Sequence, residues 1–228
     1  MKKVIVLSLG GSLIVPDEVD IGFLKKFKNT IKRHTKRYKF LIACGGGNTA
    51  RKYIGALKKA GLNARFQSLS GISATRMNAR FMNYLFSMDP ELGIPHTLET
   101  LKKYSKKRDI VFFGALEYKP EQTSDSTAAE ASAAFKADFI NLTDVAGLYT
   151  KDPRKHKDAK LIPKIGWKDF HKMACSMGYK PGQHFVLDQT ASGMILRHKI
   201  PTYILGQDLK QLDHVLGNRG FRGTLIEG

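Results

Sequence analysis

Cysteine is scarce in this 228-residue chain: it occurs only at Cys44 and Cys175, far apart and outside any CxxC pair. Disulfide scaffolds and cysteine-rich zinc modules need several closely spaced cysteines, so the composition excludes both classes. Free and sparse cysteines are typical of a reducing compartment. We therefore expect a cytoplasmic protein.

Long apolar runs are also missing, and no stretch has the length that a membrane-spanning helix requires. The run from Val4 to Leu9 follows two lysines, as in a signal peptide. Gly10-Gly11-Ser12 interrupts this run, however, and no small-residue cleavage site follows. We interpret the run as a first β-strand and expect a soluble protein without a membrane partner.

Acidic residues are few: Asp and Glu total 20 against 38 Lys and Arg, which gives a formal net charge of +18. Such an excess attracts nucleic acids, anionic membranes or phosphorylated metabolites. The basic residues are spread over polar stretches typical of solvated helices and loops, at 25–39, 102–108 and 151–164. Zinc-finger spacing, an RNP-like motif and a helix-turn-helix pattern are absent, so no specific nucleic-acid partner is predicted. Unspecific binding to nucleic acid through the basic surface stays open.

The seven histidines form neither an HxxxH nor an HExxH pattern. Both patterns place two imidazoles on one helix face, as a zinc site requires. No metal site built by protein side chains is predicted.

Glycine is where the sequence becomes informative. The strand-like run 39–44 leads directly into Gly45-Gly46-Gly47, and a helical pattern carrying Arg51 follows. Glycine lets the backbone approach a ligand closely, and a helix N-terminus offers free N–H groups to an anion. The run is neither a Walker P-loop nor a GxGxxG motif. A tight turn explains the triple glycine about as well, but similar turns recur along the chain.

Hydrophobic patterning predicts alternating strands and helices. The predicted strands are 4–9, 41–44, 110–113, 139–142, 202–205 and 223–226, and the predicted helices are 20–31, 48–60, 71–86, 97–106, 123–135, 168–177 and 188–198. The spacing in the helix 71–86 places Met77 on its buried side, and Ser124 or Asp125 lies near the N-cap of the helix 123–135. Alternation of strands and helices is typical of βαβ units. We predict an α/β fold, with helices on both faces of a mainly parallel central sheet, in a single domain spanning 1–228.

Ligands of an open parallel sheet lie beyond the carboxyl ends of its strands. Suitable residues follow four of the predicted strands: Gly10-Gly11-Ser12, Gly45-Gly46-Gly47, the segment 114–125 and Thr143-Asp144. Backbone N–H groups, hydroxyls and a few cations in one crevice suit a polyphosphate. Phosphoryl transfer requires mainly positioning and charge neutralisation, usually with Mg²⁺. The pattern therefore favours a phosphotransferase.

The ordered segments LGGS, GGGNTARKY, TSDSTAAE and NLTDVAGLYTKDP resemble the amino-acid kinase superfamily, and within it the uridylate (UMP) kinases of the archaeal type. The resemblance runs from Val4 to Gly228 and includes Val186-Leu187-Asp188 ahead of a helix. It implies a three-layer αβα sandwich that transfers the γ-phosphate of ATP to UMP, giving UDP and ADP for pyrimidine nucleotide biosynthesis. It further implies Mg²⁺ as cofactor and a cytoplasmic homohexamer, with a monophosphate-binding part at roughly 1–135 and an ATP-binding part at roughly 136–228.

The resemblance also implies roles for individual residues. Arg51 and Asp125 would be catalytic, with Asp125 orienting polar groups or metal. The residues expected to bind ATP are Gly11, Ser12, Gly47, Arg51, Thr143, Asp144, Tyr149 and Asp152. Those expected to bind UMP are Gly46, Ser68, Thr123 and Ser124. From the residues alone, Tyr149 reads as an ordinary loop aromatic and Asp152-Pro153 as a plain turn.

The chain departs from its relatives at several positions. Ser8 stands where many of them have a phosphate-binding lysine, Ser68 where an aspartate grips the UMP ribose, and Ala146 where an aspartate is usual. The loop from Gly114 to Thr123 is longer than in typical members and contains a Glu-Tyr-Lys run.

These departures leave two alternatives open. One is a kinase of the same fold with another small acidic acceptor, such as a carbamate, acetylglutamate or isopentenyl phosphate; the absence of a histidine after Gly47 argues against the last. The other is a nucleotide-binding or regulatory protein with weak or lost turnover.

Overall fold

The computed structural model describes residues 2–119, 123–176 and 186–228. Its strands, in chain order, are β1 (Lys3–Leu9), β2 (Tyr38–Cys44), β3 (Ile110–Phe113), β4 (Asp138–Leu142), β5 (Lys164–Ile165), β6 (Thr202–Leu205) and β7 (Thr224–Ile226). Its helices are α1 (Gly11–Ile14), α2 (Ile21–His34), α3 (Gly47–Lys59), α4 (Ala64–Leu85), α5 (Leu98–Lys107), α6 (Ser124–Phe135), α7 (Trp167–Ser176), α8 (Gln189–His198) and α9 (Leu209–Leu216). None of the described helices is long and apolar enough to cross a membrane.

The strands form one mixed sheet in the order β3-β2-β1-β4-β6-β7-β5. The first five strands in this order run parallel to one another, whereas β7 is antiparallel to β6 and β5 pairs with β7. Parallel neighbours need crossover connections, and helices supply them on both faces. The predicted three-layer αβα sandwich with a mainly parallel central sheet is confirmed.

Alternation along the strands divides the core into two layers. In β1, Ile5, Leu7 and Leu9 pack on one face with residues of α2, α4 and α9. Val6, between them, packs on the other face with residues of α6, α7 and α8. Successive side chains of a strand point to opposite faces. A strand buried on both faces therefore reads as an uninterrupted apolar run, which is how 4–9 reads in the sequence.

The long helix α4 differs from its prediction. It begins at Ala64 rather than near Gly71, because the Asn63 side chain accepts hydrogen bonds from the N–H groups of Arg65 and Phe66 and caps an earlier start. Met77, which the helical spacing placed on the buried side, is 54% exposed.

Other boundaries differ by up to three residues: β2 begins at Tyr38 and α2 ends at His34. Helix α6 is capped by Thr123, not by Ser124 or Asp125, and the Ser126 hydroxyl closes a capping box by accepting from the Thr123 N–H. The predicted end of the seventh helix, Met177, lies outside the described residues. Three short elements, α1, β5 and α9, were not predicted.

Candidate active site

The carboxyl ends of the parallel strands lie along one edge of the sheet, called here the carboxyl edge. Backbone hydrogen bonds join neighbouring ends: Gly10 N–H donates to Leu142 O at 3.0 Å, and Gly45 N–H donates to Leu9 O at 2.9 Å. The Thr143 N–H likewise donates to Leu205 O at 2.9 Å. The four predicted ligand-binding turns therefore begin from one edge, where a single bound molecule can reach several of them.

The two glycine turns touch through their backbones. A Cβ on Gly11 would overlap the amide nitrogen of Gly47, and a Cβ on Gly45 would overlap that of Gly11. Gly47 has φ +61°, a conformation that residues with a side chain rarely adopt. The contact sets the N-terminus of α3 directly beside the turn after β1, so free N–H groups concentrate at one point.

Arg51 and Ser12 lie next to this contact. Arg51 is exposed in the second turn of α3, and its Nη2 donates to the carbonyl of Pro16 at 3.4 Å, just beyond α1. Ser12 is partly exposed in α1 itself. A guanidinium near the N-terminus of α3 can neutralise phosphate charge.

Hydroxyl groups and two carboxylates form a second cluster beside the glycine turns. Ser8 Oγ donates to Asp125 Oδ1 at 2.7 Å. Thr123 Oγ1 donates to Asp188 Oδ2 at 2.5 Å, and Ser126 Oγ donates to the same oxygen at 3.2 Å. Asp188 also caps α8 through the Ala191 N–H. The cluster thus fixes the N-termini of α6 and α8 relative to β1.

The pKa of Asp125 differs strongly from its ordinary value. Burial raises the pKa of this carboxyl to about 7; the Ser8 hydrogen bond opposes the rise, and the negative charge of Asp188 adds to it. The described residues contain no ion pair to Asp125 that would hold it ionised. Its charge therefore changes within the physiological pH range.

One cavity of about 300 Å³, the Ser68 cavity, lies between α3, α4 and the start of α6. Ser68, Thr123 and Ser124, all predicted to bind UMP, line it together. Its other lining residues are Ala50, Ile54, Gly71, Ile72, Thr75, Ala115, Glu117, Tyr118, Lys119 and Thr127. Gly46 adjoins it, since a Cβ there would touch Ala50 and Thr75. The apolar side chains of the lining can pack against a flat ring, and its hydroxyl groups can form hydrogen bonds with the polar groups of the same ligand.

The segment 115–119, which follows β3, lines one wall of this cavity and is held at Ala115 and at Lys119. Ala115 N–H donates to Thr75 Oγ1 at 2.9 Å, and Arg76 Nε donates to Ala115 O at 3.0 Å. At the far end, Lys119 Nζ pairs with Glu130 Oε1 at 2.6 Å. The lysine that is unusual in this loop is thus engaged by α6.

A second cavity of about 290 Å³, the Asp144 cavity, lies beyond the carboxyl ends of β4 and β6. Its lining residues are Asp144, Ala146, Gly206, Gln207, Asp208, Gln211 and Arg222. Arg154 joins two residues predicted to bind ATP, with Nη1 3.1 Å from Asp144 Oδ2 and Nε 3.2 Å from Asp152 Oδ1. Through Arg154 these contacts tie Asp152 to Asp144, which lines the cavity.

The predicted site residues thus fall into three neighbouring groups along the carboxyl edge. Gly11, Gly46 and Gly47, with Arg51, surround the glycine contact. Ser68, Thr123 and Ser124 line the Ser68 cavity, whereas Asp144 is the predicted ATP-binding residue that lines the Asp144 cavity. Tyr149 is half-buried and pairs with Leu161 in an isolated bridge, and it does not line the Asp144 cavity. The role of each residue stays a prediction.

Sequence reasoning assigned no role to several residues of these groups. Arg154, Thr75 and Asp188 make the contacts described above, and Gly206 and Gln207 line the Asp144 cavity. Gly206 follows the end of a strand, as Gly10 and Gly45 do. A glycine directly after a predicted strand would therefore have identified it as a candidate too. Thr75 and Arg154 carry no comparable signal, because their roles depend on contacts distant in sequence.

Comparison with known proteins identifies the class. The model of the amino acid kinase family matches residues 3–206, and the chain belongs to this family. Among its relatives, a uridylate kinase from Thermoplasma volcanium is 33% identical over 228 residues, covering 100% of this chain and 99% of the relative. A uridylate kinase from Pyrococcus abyssi is 32% identical over 230 residues, covering 98% of this chain and 99% of the relative.

Solved structures give the same result. The crystal structure of uridylate kinase from Archaeoglobus fulgidus superposes with a TM-score of 0.83 at 29% identity, covering 99% of this chain and 100% of that one. The structure of UMP kinase from Ureaplasma parvum superposes with a TM-score of 0.80 at 20% identity, covering 100% of both chains, and supports the fold alone.

Proposed function

We propose that the protein is a nucleoside monophosphate kinase that transfers the γ-phosphate of ATP to UMP, giving UDP and ADP for pyrimidine nucleotide biosynthesis. The observation that carries the proposal is the placement of the Ser68 and Asp144 cavities on the carboxyl edge, on which the glycine contact also lies. Full-length similarity to uridylate kinases supports UMP as the acceptor over the alternative acceptors.

The Ser68 cavity receives UMP. Its volume of about 300 Å³ lies at the lower end of small-molecule sites, as suits a mononucleotide. Thr123 and Ser124 present hydroxyls at the N-terminus of α6, and Gly46 presents backbone to the phosphate at the N-terminus of α3. Ser68 offers the ribose a hydroxyl in place of a carboxylate.

The Asp144 cavity receives the nucleoside of ATP. Asp144 and Asp208 supply acceptors and Arg222 a cation at its lining. The triphosphate extends towards Gly11, Ser12 and Gly47. Gly47 contacts the phosphates through its backbone. Thr143, whose N–H holds the end of β6, lies along this path, and Tyr149 and Asp152 border it from the loop that follows.

Transfer relies on position and charge. The N–H groups at the glycine contact and the Arg51 guanidinium stabilise negative charge on the moving phosphoryl group. Asp125 and Ser8 orient polar groups at the junction of the two substrates. Ser8 supplies no charge where many relatives have lysine, so a greater share of neutralisation falls on Arg51.

The donor groups at the junction fit Mg²⁺. The described residues contain no group of three or more His, Cys, Asp or Glu side chains arranged to hold a metal. Mg²⁺ is commonly bound by one or two carboxylates together with substrate phosphates, and Asp125 and Asp188 offer that number of carboxylates. When bound, it would neutralise charge on the ATP phosphates.

We also propose that the protein acts as a cytoplasmic homo-oligomer, for which the family resemblance implies a hexamer. Large apolar side chains are exposed on one face of α4 at helical spacing: Phe66, Leu69, Met77 and Tyr84. Such a stripe is covered when a second copy packs its own α4 against it. Both described cysteines are free, which suits the reducing cytoplasm.

The test is an acceptor panel. Purified protein is incubated with ATP, Mg²⁺ and UMP, CMP, AMP, acetylglutamate or carbamate, and both products are separated by chromatography. We expect equal amounts of ADP and UDP with UMP and at least tenfold slower turnover with the others. ADP formation that UMP does not stimulate would overturn the proposal, and faster turnover of another acceptor would reassign the Ser68 cavity.

A further inference from the structure

A cavity of about 380 Å³ lies at the opposite edge of the sheet. Its lining comes from the segments that precede β4 and β6: Ser132, Ala133, Lys136, Ala137, Asp138, His198, Lys199, Ile200 and Pro201. Because β4 and β6 run parallel, this amino edge is separated from the carboxyl edge by the length of a strand, about 15 Å. The cavity, called here the Lys136–Lys199 cavity, therefore belongs to neither proposed substrate.

Two lysines at its rim occupy the same unusual backbone position. Lys136 and Lys199 each follow the end of a helix with φ +49°. Each helix ends in a Schellman motif: Ala137 N–H donates to Ser132 O, and Ile200 N–H donates to Ile195 O, both at 3.0 Å. Glycine is the usual residue there, because a side chain disfavours the left-handed conformation.

The sequence thus places lysine, twice, where glycine would be conformationally easier. Both lysines are exposed, and both line one cavity although they are distant in the chain. A favourable interaction with the negative end of a helix explains one such lysine, but not their convergence. Residues held in sparsely populated backbone conformations cluster at ligand sites.

A buried hydroxyl independently points to a missing partner. Ser132 lines the cavity and is 0% exposed, and its Oγ has no hydrogen-bond partner among the described residues. Buried hydroxyls are nearly always satisfied, so such an atom calls for a water or a ligand. The one carboxylate of the lining, Asp138, is already paired with Lys3 at 2.6 Å. The Asp138 carboxylate is therefore not expected to pair with Lys136 or Lys199 in place of a ligand.

The surroundings add positive charge. The neighbouring strands β1, β2 and β3 begin at the same edge, and the residues just before or at their starts include Lys2, Lys3, Lys36, Arg37, Lys107 and Arg108. Asp109, the acidic residue next to them, is paired with Lys2 at 2.5 Å. The edge as a whole favours anions.

We propose that the Lys136–Lys199 cavity binds the phosphate group of a small phosphorylated molecule. The Lys136 and Lys199 ammonium groups pair with the phosphate, His198 adds a donor, and the Ser132 hydroxyl donates to an oxygen of the ligand from the cavity floor. The cavity has room for a group larger than phosphate, so the ligand is a metabolite rather than the ion alone.

The decisive variant replaces both lysines with glycine. We expect Lys136→Gly/Lys199→Gly to weaken binding of inorganic phosphate at this edge at least tenfold, measured by isothermal titration. Because glycine suits the left-handed position, the same variant should melt about 2 °C higher per substitution in phosphate-free buffer. A purely structural role for the lysines predicts a lower melting temperature instead.

Two matched controls isolate the effect. Ser87→Gly changes another non-glycine residue of positive φ, at the end of α4, and should leave phosphate binding unchanged. Lys102→Gln removes an exposed charge from α5 outside the cavity and controls for net charge. Crystals of the wild-type protein soaked in tungstate, a heavy analogue of phosphate, locate the anion.

Three results with phosphate or tungstate would overturn the proposal. They are a tungstate ion absent from the space between Lys136 and Lys199, a water alone bonded to Ser132 at saturating phosphate, and unchanged phosphate affinity in the double variant. Binding of the oligonucleotide dT20, which carries no terminal phosphate, tests whether this edge recognises a nucleic-acid backbone instead of the phosphate of a small molecule. If dT20 alone binds the wild-type edge, the ligand is not a small metabolite and the proposal is wrong.

Discussion

Ser8 Oγ lies 2.7 Å from Asp125 Oδ1 and donates a hydrogen bond to it, which joins the end of β1 to the first turn of α6. The family resemblance implies a lysine at the position of Ser8 in many relatives, and a lysine there would hold the carboxyl ionised. The hydroxyl does so only weakly, and burial raises the pKa of Asp125 to about 7. The substitution of one side chain thus makes the proposed catalytic carboxyl sensitive to pH.

The first prediction concerns the pH dependence of turnover. We expect kcat/KM to rise with pH through about 7, because the ionised form of Asp125 orients the groups at the junction. Ser8→Ala should shift this rise in kcat/KM, the acidic limb of the pH profile, to higher pH, because the Ser8 hydroxyl favours the ionised form of the Asp125 carboxyl. Asp125→Asn should lower kcat/KM about 100-fold and remove the limb.

Profiles of all three proteins between pH 5.5 and 9 check this prediction. Ionisation of the substrate phosphate is common to them, so only differences between the profiles report on Asp125. Coincident midpoints for the wild-type protein and Ser8→Ala would contradict the prediction.

The second prediction concerns stability. The pKa of Asp125 is raised on folding from an unfolded value of about 3.9. The folded state is therefore most favoured below pH 4 and loses stability as pH rises to about 7. Asp125→Asn removes this loss, and should raise the free energy of unfolding by about 1–3 kcal/mol at pH 8 and by little at pH 4, a range that allows for partial exposure.

Urea unfolding at both pH values measures the difference. Asp169→Asn, at an exposed position in the first turn of α7, is the matched control and should show no comparable gain at pH 8. An equal gain for Asp125→Asn at both pH values would count against a titrating carboxyl.

The third prediction compares two glycines of one helix. Gly47→Ala places a Cβ against the Gly11 carbonyl at φ +61°, and should destabilise the protein by about 2 kcal/mol or more and abolish turnover. Gly55→Ala, in the same helix with nothing within 4 Å of the new Cβ, should stabilise it by about 0.5–1 kcal/mol. Thermal melting and the kinase assay measure both effects. Equal stability and turnover of the two variants would contradict this prediction.

The fourth prediction concerns the acceptor. Ser68→Asp restores the carboxylate that relatives use for the UMP ribose, and should lower KM for UMP about tenfold while leaving KM for ATP unchanged. Asn29→Asp adds the same charge at an exposed position of α2 and should change neither constant. A selective change in KM for ATP would place Ser68 beside the other substrate.

The fifth prediction concerns assembly. Met77 is 54% exposed on the apolar stripe of α4, and Met77→Glu should dissociate the oligomer by burying a charge in the contact. Light scattering after gel filtration measures the mass, with Asn29→Glu as the control. A wild-type mass of one chain, about 25.5 kDa, would refute the assembly.

The elements predicted best from the sequence are those that a short local pattern of apolar residues marks. The strands Ile110–Phe113 and Thr202–Leu205 match their predicted bounds, because each is a short apolar run between polar segments. The start of α4 was missed, because 62–70 has no clear apolar period and the cap at Asn63 was not recognised. The prediction that Met77 is buried was wrong, because helical spacing identifies an apolar face but not whether this chain itself covers that face.

The candidate site shows the same division. Glycine turns after strands could be read from the sequence, since a glycine run between a strand and a helix needs no tertiary information. The Arg154 bridge from Asp144 to Asp152 could not, and neither could the Thr75 contact to the loop after β3. Such contacts depend on how distant segments pack, which local pattern does not encode.

The most direct measurement is a crystal structure with UMP bound. We expect uracil and ribose in the space bordered by Ser68, Thr123 and Ser124, with the phosphate within hydrogen-bonding distance of the Gly46 N–H. UMP bound instead beside Asp144 and Gly206, or at the amino edge beside Lys136, would contradict it.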